Sequence, residues 1–261
     1  MSKSATLDPT LHNPRILCLH GGGVTGEVFQ LQARALIARL NPYFRLVFAD
    51  GPFLCDAGPG IEPVYSDFAP FRRWLRWLPE HTEIDDESAA DEVWYQLRRT
   101  MDDDNVKGAT GEWVGMMGFS QGAKLAASLL YDQQAREEKL GKGKAGTNWR
   151  FAVLLAGRAP LVSFSEASKG RKGMVGAGEV SEGFTDVEGA DLLRYPTIHV
   201  HGLADKGLHL HRRLLDQYCD KKTATVVEWD GDHRVPIKSK DVVPVVDAIL
   251  DVARQTEALK G

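Results

Sequence analysis

Cysteine is scarce in this chain of 261 residues: only Cys18, Cys55 and Cys219 are present. An odd count with no C-x-x-C or zinc-like spacing argues against a secreted disulfide framework and against a thiolate metal site. Long apolar runs are lacking too. No stretch reaches the roughly twenty residues that would cross a bilayer, and Met1 to Asn13 is polar, without the apolar centre of a signal peptide. A basic excess is also missing, since the net charge is -4, and this leaves no positive field for nucleic acid. No repeat recurs at solenoid spacing. These absences lead us to expect a cytoplasmic protein with no nucleic-acid partner, no membrane contact and no cofactor.

What is present is an ordinary globular composition, 43% hydrophobic and 26% charged, long enough for one core without staples. Apolar runs predict strands near Arg15 to Leu19, Arg45 to Ala49, Trp113 to Met117, Phe151 to Ala156, Thr197 to His201 and Ala224 to Trp229. Helical periodicity predicts helices near Glu27 to Leu40, Glu87 to Met101, Ser120 to Leu140, Leu208 to Tyr218 and Val242 to Gln255. Such alternation implies an α/β domain with a mostly parallel sheet covered on both faces. A single domain over residues 1–261 is expected, with pocket-bordering insertions near 51–104 and 163–190. Ser168 to Gly183 reads as a flexible flap or partly disordered insertion.

Gly118-Phe119-Ser120-Gln121-Gly122 is a G-x-S-x-G pattern between a predicted strand and a predicted helix. In that context it reads as a nucleophile elbow, a turn tight enough to need glycines and to aim Ser120 at a substrate. The Gln121 N–H would then face the developing oxyanion. The plain alternative is a strand-to-helix turn with Ser120 as an N-cap. Gly21-Gly22-Gly23, at the end of the first strand, can bring a second backbone donor, assigned to Gly22 with Gly23 next. A phosphate or dinucleotide loop is the other reading of such a run, and no G-K-[ST] supports a phosphate loop. His20 is read as a loop-shaping residue.

Asp205 and His233 each follow a predicted strand, so the chain order is Ser, Asp, His, the order of α/β-hydrolases. His233 would act as general base and Asp205 would orient it. Asp230 and Asp232 are rivals for the acid but read as turn residues. The pairs His199/His201 and His209/His211 raise a metal reading, which no H-E-x-x-H supports; one member of each pair is expected to lie inside. No metal is expected.

Ile16 to Gly23, Asp50-Gly51-Pro52-Phe53, Gly58-Pro59-Gly60, Phe71 to Leu75, Gly118 to Gly122, Phe151 to Arg158, His199 to Asp205 and Val227 to Pro236 together resemble the fungal serine hydrolase family. That family includes releasing thioesterases and hydrolases of fungal polyketide pathways. The resemblance implies Ser120 as nucleophile, Asp205 as acid and His233 as base, as chain order does. It further implies release of a polyketide-type acyl chain from a carrier protein, with a polyketide synthase as the partner. A general carboxylesterase or lactonase is the alternative, and a non-catalytic ligand-binding protein on the same fold is a third reading. The aromatic stretch from Phe53 to Trp77 is expected to line an apolar acyl pocket, with Phe53 and Trp74 as substrate contacts. A short amphipathic helix bearing Trp74 and Trp77 is the compatible structural reading.

Overall fold

The computed structural model describes residues 8–180 and 191–259. Its strands in chain order are β1 (Arg15–Leu19), β2 (Arg45–Ala49), β3 (Phe53–Cys55), β4 (Phe71–Arg73), β5 (Trp113–Phe119), β6 (Phe151–Leu155), β7 (Leu161–Val162), β8 (Met174–Val175), β9 (Thr197–Gly202) and β10 (Ala224–Trp229). The helices are α1 (Gly26–Gln32), α2 (Arg34–Leu40), α3 (Asp86–Val106), α4 (Gln121–Leu140), α5 (Leu208–Tyr218) and α6 (Ser239–Gln255).

Six strands form one sheet in the order β10-β9-β6-β5-β1-β2, and every neighbouring pair is parallel. Parallel pairing forces each connection to cross a face, so helices cover both sides and the inner strands are apolar throughout. Alternation along the strands divides the core. Leu17, Leu19, Met116 and Leu154 face the layer that holds α3 and α4. Ile16, Cys18, Met117 and Val153 face the layer that holds α2 and α6. The strands run the same way, so their C-terminal ends share one edge, with β5 between β1 and β6. Ligands bind at that edge in open α/β sheets.

Several elements depart from the sequence expectation. The helix expected over Glu27 to Leu40 is two helices, broken at Ala33, whose N–H bonds both Leu31 O and Phe29 O. The helix α3 runs on to Val106, past the expected end at Met101. No helix forms over Trp74 to Trp77: the segment leaves β4, which pairs antiparallel with β3 in a short hairpin. Of the expected flap, residues 181–183 lie outside the described residues. Ser168 to Val180 is tied down, with the Ser168 hydroxyl donating to Asp132 Oδ1 at 2.6 Å and the Gly178 N–H to Asp86 Oδ1 at 2.9 Å. Among the described residues no helix is long and apolar enough to cross a membrane.

The opposite edge of the sheet is held by a buried ionic knot. Asp104, near the end of α3, pairs with Arg45 at 2.7 Å and Arg15 at 3.4 Å, and its side chain is 2% exposed. Arg15 also donates to Gly111 O and Asn105 Oδ1 at 2.6 Å each, and lies over the Trp113 ring. Removing the acid would leave the buried Arg15 without its carboxylate partner, while Arg45 would keep only Asp8 at 2.6 Å. Asp104→Ala should therefore lose about 3–5 kcal/mol of stability, read from urea unfolding, with no change in the hydrolytic rate constant of the folded protein.

Candidate active site

Ser120 joins β5 to α4 at φ 53° and ψ −112°, a conformation that a residue with a side chain adopts only under constraint. The constraint is visible in its neighbours. A β-carbon at Gly118 would lie 2.1 Å from Gly122 O, and one at Gly122 would lie 2.0 Å from Leu19 O. Both contacts are with backbone, which cannot swing aside, so the two glycines of the pattern are demanded by close approach. The Ser120 N–H donates to Leu155 O at 2.8 Å, which ties the turn to β6.

The structure brings Ser120, His233 and Asp205 together across the C-terminal edge. The Ser120 hydroxyl lies 3.0 Å from His233 Nε2, and His233 Nδ1 lies 2.7 Å from Asp205 Oδ2. Asp205 is buried, and its Oδ1 accepts from the Gly207 N–H at 2.7 Å. A carboxylate at Nδ1 places the ring proton there, leaving Nε2 to accept from the serine. Asp230 and Asp232 are exposed, and Asp232 pairs with Arg234 at 3.3 Å.

Beside Ser120 runs the loop after β1, where a β-carbon built on Gly21 would lie 3.5 Å from Ser120 Cβ. Gly23 N–H is already used, donating to Arg72 O at 2.9 Å. On the other side, Gln121 is the first residue of α4, where backbone N–H groups lack intrahelical acceptors. The run Gly21 to Gly26 does fit the spacing G-x-G-x-x-G, and the structure separates it from a dinucleotide loop. The Asp50 carboxylate accepts from Gly26 N–H at 2.8 Å, and Thr25 caps α1, so the helix start where a pyrophosphate would sit is occupied by protein groups.

Residues 9–245 match the serine hydrolase (FSH1) family. The chain belongs to that family. It is 50% identical to "Esterase citA" of Monascus ruber over 97% of each chain. It is 47% identical to "Esterase claE" of Penicillium crustosum over 98% of this chain and 99% of the other. A carboxylesterase from Mesorhizobium loti shares the fold at a TM-score of 0.52 and 18% identity, covering 91% of this chain and 88% of its own. The Bacillus cereus carboxylesterase does so at 0.51 and 17%, covering 94% and 91%. The fold is that of the α/β-hydrolases, and this FSH1 serine hydrolase is an enzyme.

Around the Ser120 site, Gln121 and Trp74 have parts that were not visible in the sequence, while His20 takes the loop-shaping part read from it. Gln121 clamps the segment after β4 through its side chain: Oε1 accepts from the N–H groups of Trp74 and Leu75 at 2.7 and 3.2 Å, and Nε2 donates to Leu75 O at 3.1 Å. His20 lies under the glycine loop, where Nδ1 donates to Gly21 O at 2.6 Å and Nε2 accepts from Gly51 N–H at 2.8 Å. Trp74, expected to touch substrate, is fully buried instead. Its indole N–H donates to His20 O at 3.0 Å, so the ring supports the loop from below. Trp77 takes the outer position: a β-carbon at Gly22 would lie 2.8 Å from its ring. Phe53 is half-buried beneath the Arg73 guanidinium, 4.7 Å from ring to Cζ.

Histidines cluster behind the site. His199 and His201 are both buried, contrary to the expectation that one of them would face outward, while His209 is exposed and His211 buried. Helix α5 carries His211 to the acid, Nε2 lying 3.3 Å from Asp205 Oδ2. Asp205, His211 and His233 bring one ligand atom each within 4.8 Å of one another. A metal there would take Asp205 and His233 Nδ1 away from their hydrogen bond, so the donor set competes with the arrangement around Ser120.

Two predictions follow from burial. Trp74→Ala should cost about 3–5 kcal/mol in denaturant unfolding, and kcat/KM for acetyl and long-chain esters should fall by the same factor. Burial also pushes His20 and His211 down to about 4 and His199 to about 3, from an ordinary 6.5. Each therefore binds a proton more readily unfolded than folded. Stability should be complete above about pH 6.5 and decline as the pH falls toward 4, so the thermal midpoint should be lower at pH 5 than at pH 7.

Proposed function

We propose that Ser120, His233 and Asp205 form the catalytic triad of an esterase or thioesterase that works through an acyl-serine intermediate. The observation that carries this reading is the His233 ring, hydrogen-bonded to the serine on one nitrogen and to a buried carboxylate on the other. Ser120 Oγ attacks the acyl carbonyl while Nε2 takes its proton. Charge builds on the carbonyl oxygen, which in this reading accepts from the N–H groups of Gln121 and Gly22. Collapse expels the thiol or alcohol, which receives the proton from His233 as it leaves. Water then enters, loses a proton to the same nitrogen, and frees the acid. Asp205 keeps the ring in the required tautomer and supports its cationic form.

The substrate in this reading is a polyketide-type acyl chain held on a carrier protein, with a polyketide synthase as partner and the cytoplasm as the place of action. Near-full-length similarity to fungal esterases supports the acyl chemistry, and three free cysteines accord with a reducing compartment. Hydrolysis of a free small-molecule ester is the second reading, favoured by the names those relatives carry.

Ser120→Ala should lower kcat/KM on p-nitrophenyl esters by on the order of 10⁶ and abolish labelling by a fluorophosphonate, with unfolding unchanged. Asp205→Asn should lose on the order of 10⁴. Full activity in Asp205→Asn, together with loss in Asp230→Asn or Asp232→Asn, would move the acid elsewhere.

A further inference from the structure

Among the described residues no acid pairs with two arginines, Arg73 at the end of β4 and Arg76 just after it. Arg73 is 3% exposed and Arg76 is 9% exposed. Arg73 Nε and Nη1 and Arg76 Nε are buried with no hydrogen-bond partner. Arg76 otherwise meets only backbone, donating to Gly178 O at 3.4 Å and Pro79 O at 3.2 Å. Arg73 lies over the face of Phe53, its partner in the β3–β4 hairpin. Among the described residues no carboxylate is within ion-pair distance of either, and Asp56 and Glu80, close to them in the chain or hairpin, are exposed. A guanidinium in such a place lacks both water and a counter-charge, a costly arrangement unless something else supplies an acceptor.

The place of the cluster says what could supply one. Trp77, next to Arg76 in the chain, lies against Gly22 with its ring 4.3 Å from that of His81. The Gly23 N–H donates to Arg72 O at 2.9 Å, so the segment that carries both arginines is bonded to the glycine loop beside Ser120. Trp74, between Arg73 and Arg76 in sequence, is clamped by Gln121, which fixes the cluster relative to Ser120.

We infer that Arg73 and Arg76 form an anion subsite that receives a carboxylate, or an equally acidic enolate, on the acyl part of the substrate. This rests on the acyl-serine reading above. The acyl side is favoured over the phosphate of a carrier's phosphopantetheine arm because the whole pantetheine chain separates that phosphate from the thioester, whereas the arginines belong to the segment that bonds Gly23 and lays Trp77 against Gly22. Arg73 presents its planar fork to the anion, a geometry that a lysine cannot reproduce.

The test compares mono-4-nitrophenyl glutarate with its neutral methyl ester, two substrates with the same acyl length. The wild-type enzyme should favour the anionic ester, and Arg73→Gln should reduce the ratio of the two kcat/KM values at least about tenfold, a change of about 1.4 kcal/mol, while leaving the neutral ester nearly unaffected. Arg76→Gln and Arg73→Lys should shift the ratio in the same direction, which keeps the test open if Arg73→Gln does not fold. Equal losses on both esters would overturn the proposal and make the arginines structural. An effect of Arg73→Gln confined to acyl-phosphopantetheine against acyl-pantetheine thioesters would overturn it too, by placing the anion on the leaving group. Calorimetric binding of glutarate to Ser120→Ala, lost when Arg73→Gln is added, tests the subsite without any hydrolysis and so separates its failure from that of the catalytic reading.

Discussion

Ser120 sits at φ 53° and ψ −112°, and the rest of the molecule is arranged so that this conformation persists. A residue held there costs on the order of 1–3 kcal/mol, which must be met by its surroundings. The hydrogen bond to Leu155 O holds the turn to β6, and Gly122 approaches β1 so closely that a β-carbon there would lie 2.0 Å from Leu19 O. The elbow is thus wedged between the two strands that flank β5. Neither strand can shift along its neighbour without releasing the serine, so the register of the central sheet and the aim of the nucleophile are one constraint.

Gln121 carries that constraint outward. Its backbone begins α4, and its side chain makes three hydrogen bonds to Trp74 and Leu75. Trp74 in turn bonds the carbonyl of His20, and His20 holds Gly21 and Gly51. The loop that carries Gly22, the hairpin wall and the elbow therefore form one closed network, in which the loss of any member frees the others. Neutral imidazole is essential to it: His20 must donate on one nitrogen and accept on the other, which a protonated ring cannot do. Burial keeps it neutral.

The two edges of the sheet have opposite electrostatics. At the N-terminal ends of β1 and β2 the charges are matched, with Asp104 shared between Arg15 and Arg45. At the C-terminal ends, histidines crowd around one buried carboxylate and two arginines go unmatched. Saturated ion pairs stabilise one end, while the other retains groups whose demands an incoming molecule could meet. Such unsatisfied polar groups are expected where a protein gives up stability for function.

The sequence by itself determined the alternation of strands and helices, the chain order Ser120, Asp205, His233 and the need for glycine on both sides of the serine. Each of these is written in local chemistry, in apolar runs of strand length or in a turn that excludes a β-carbon. The break at Ala33 escaped because apolar periodicity continues through it with no glycine or proline to mark it. Only the tertiary structure decided that Trp74 lies inside and Trp77 outside, that Asp205 and not Asp230 or Asp232 meets His233, and that His199 and His201 are both buried. It also decided that the glycine run after β1 faces a serine and not a pyrophosphate. These depend on groups far apart in the chain, 47 residues between Gln121 and Trp74 and 113 between Ser120 and His233. Periodicity reports which face a residue occupies on its own element, and the partner across that face is chosen by how the elements pack.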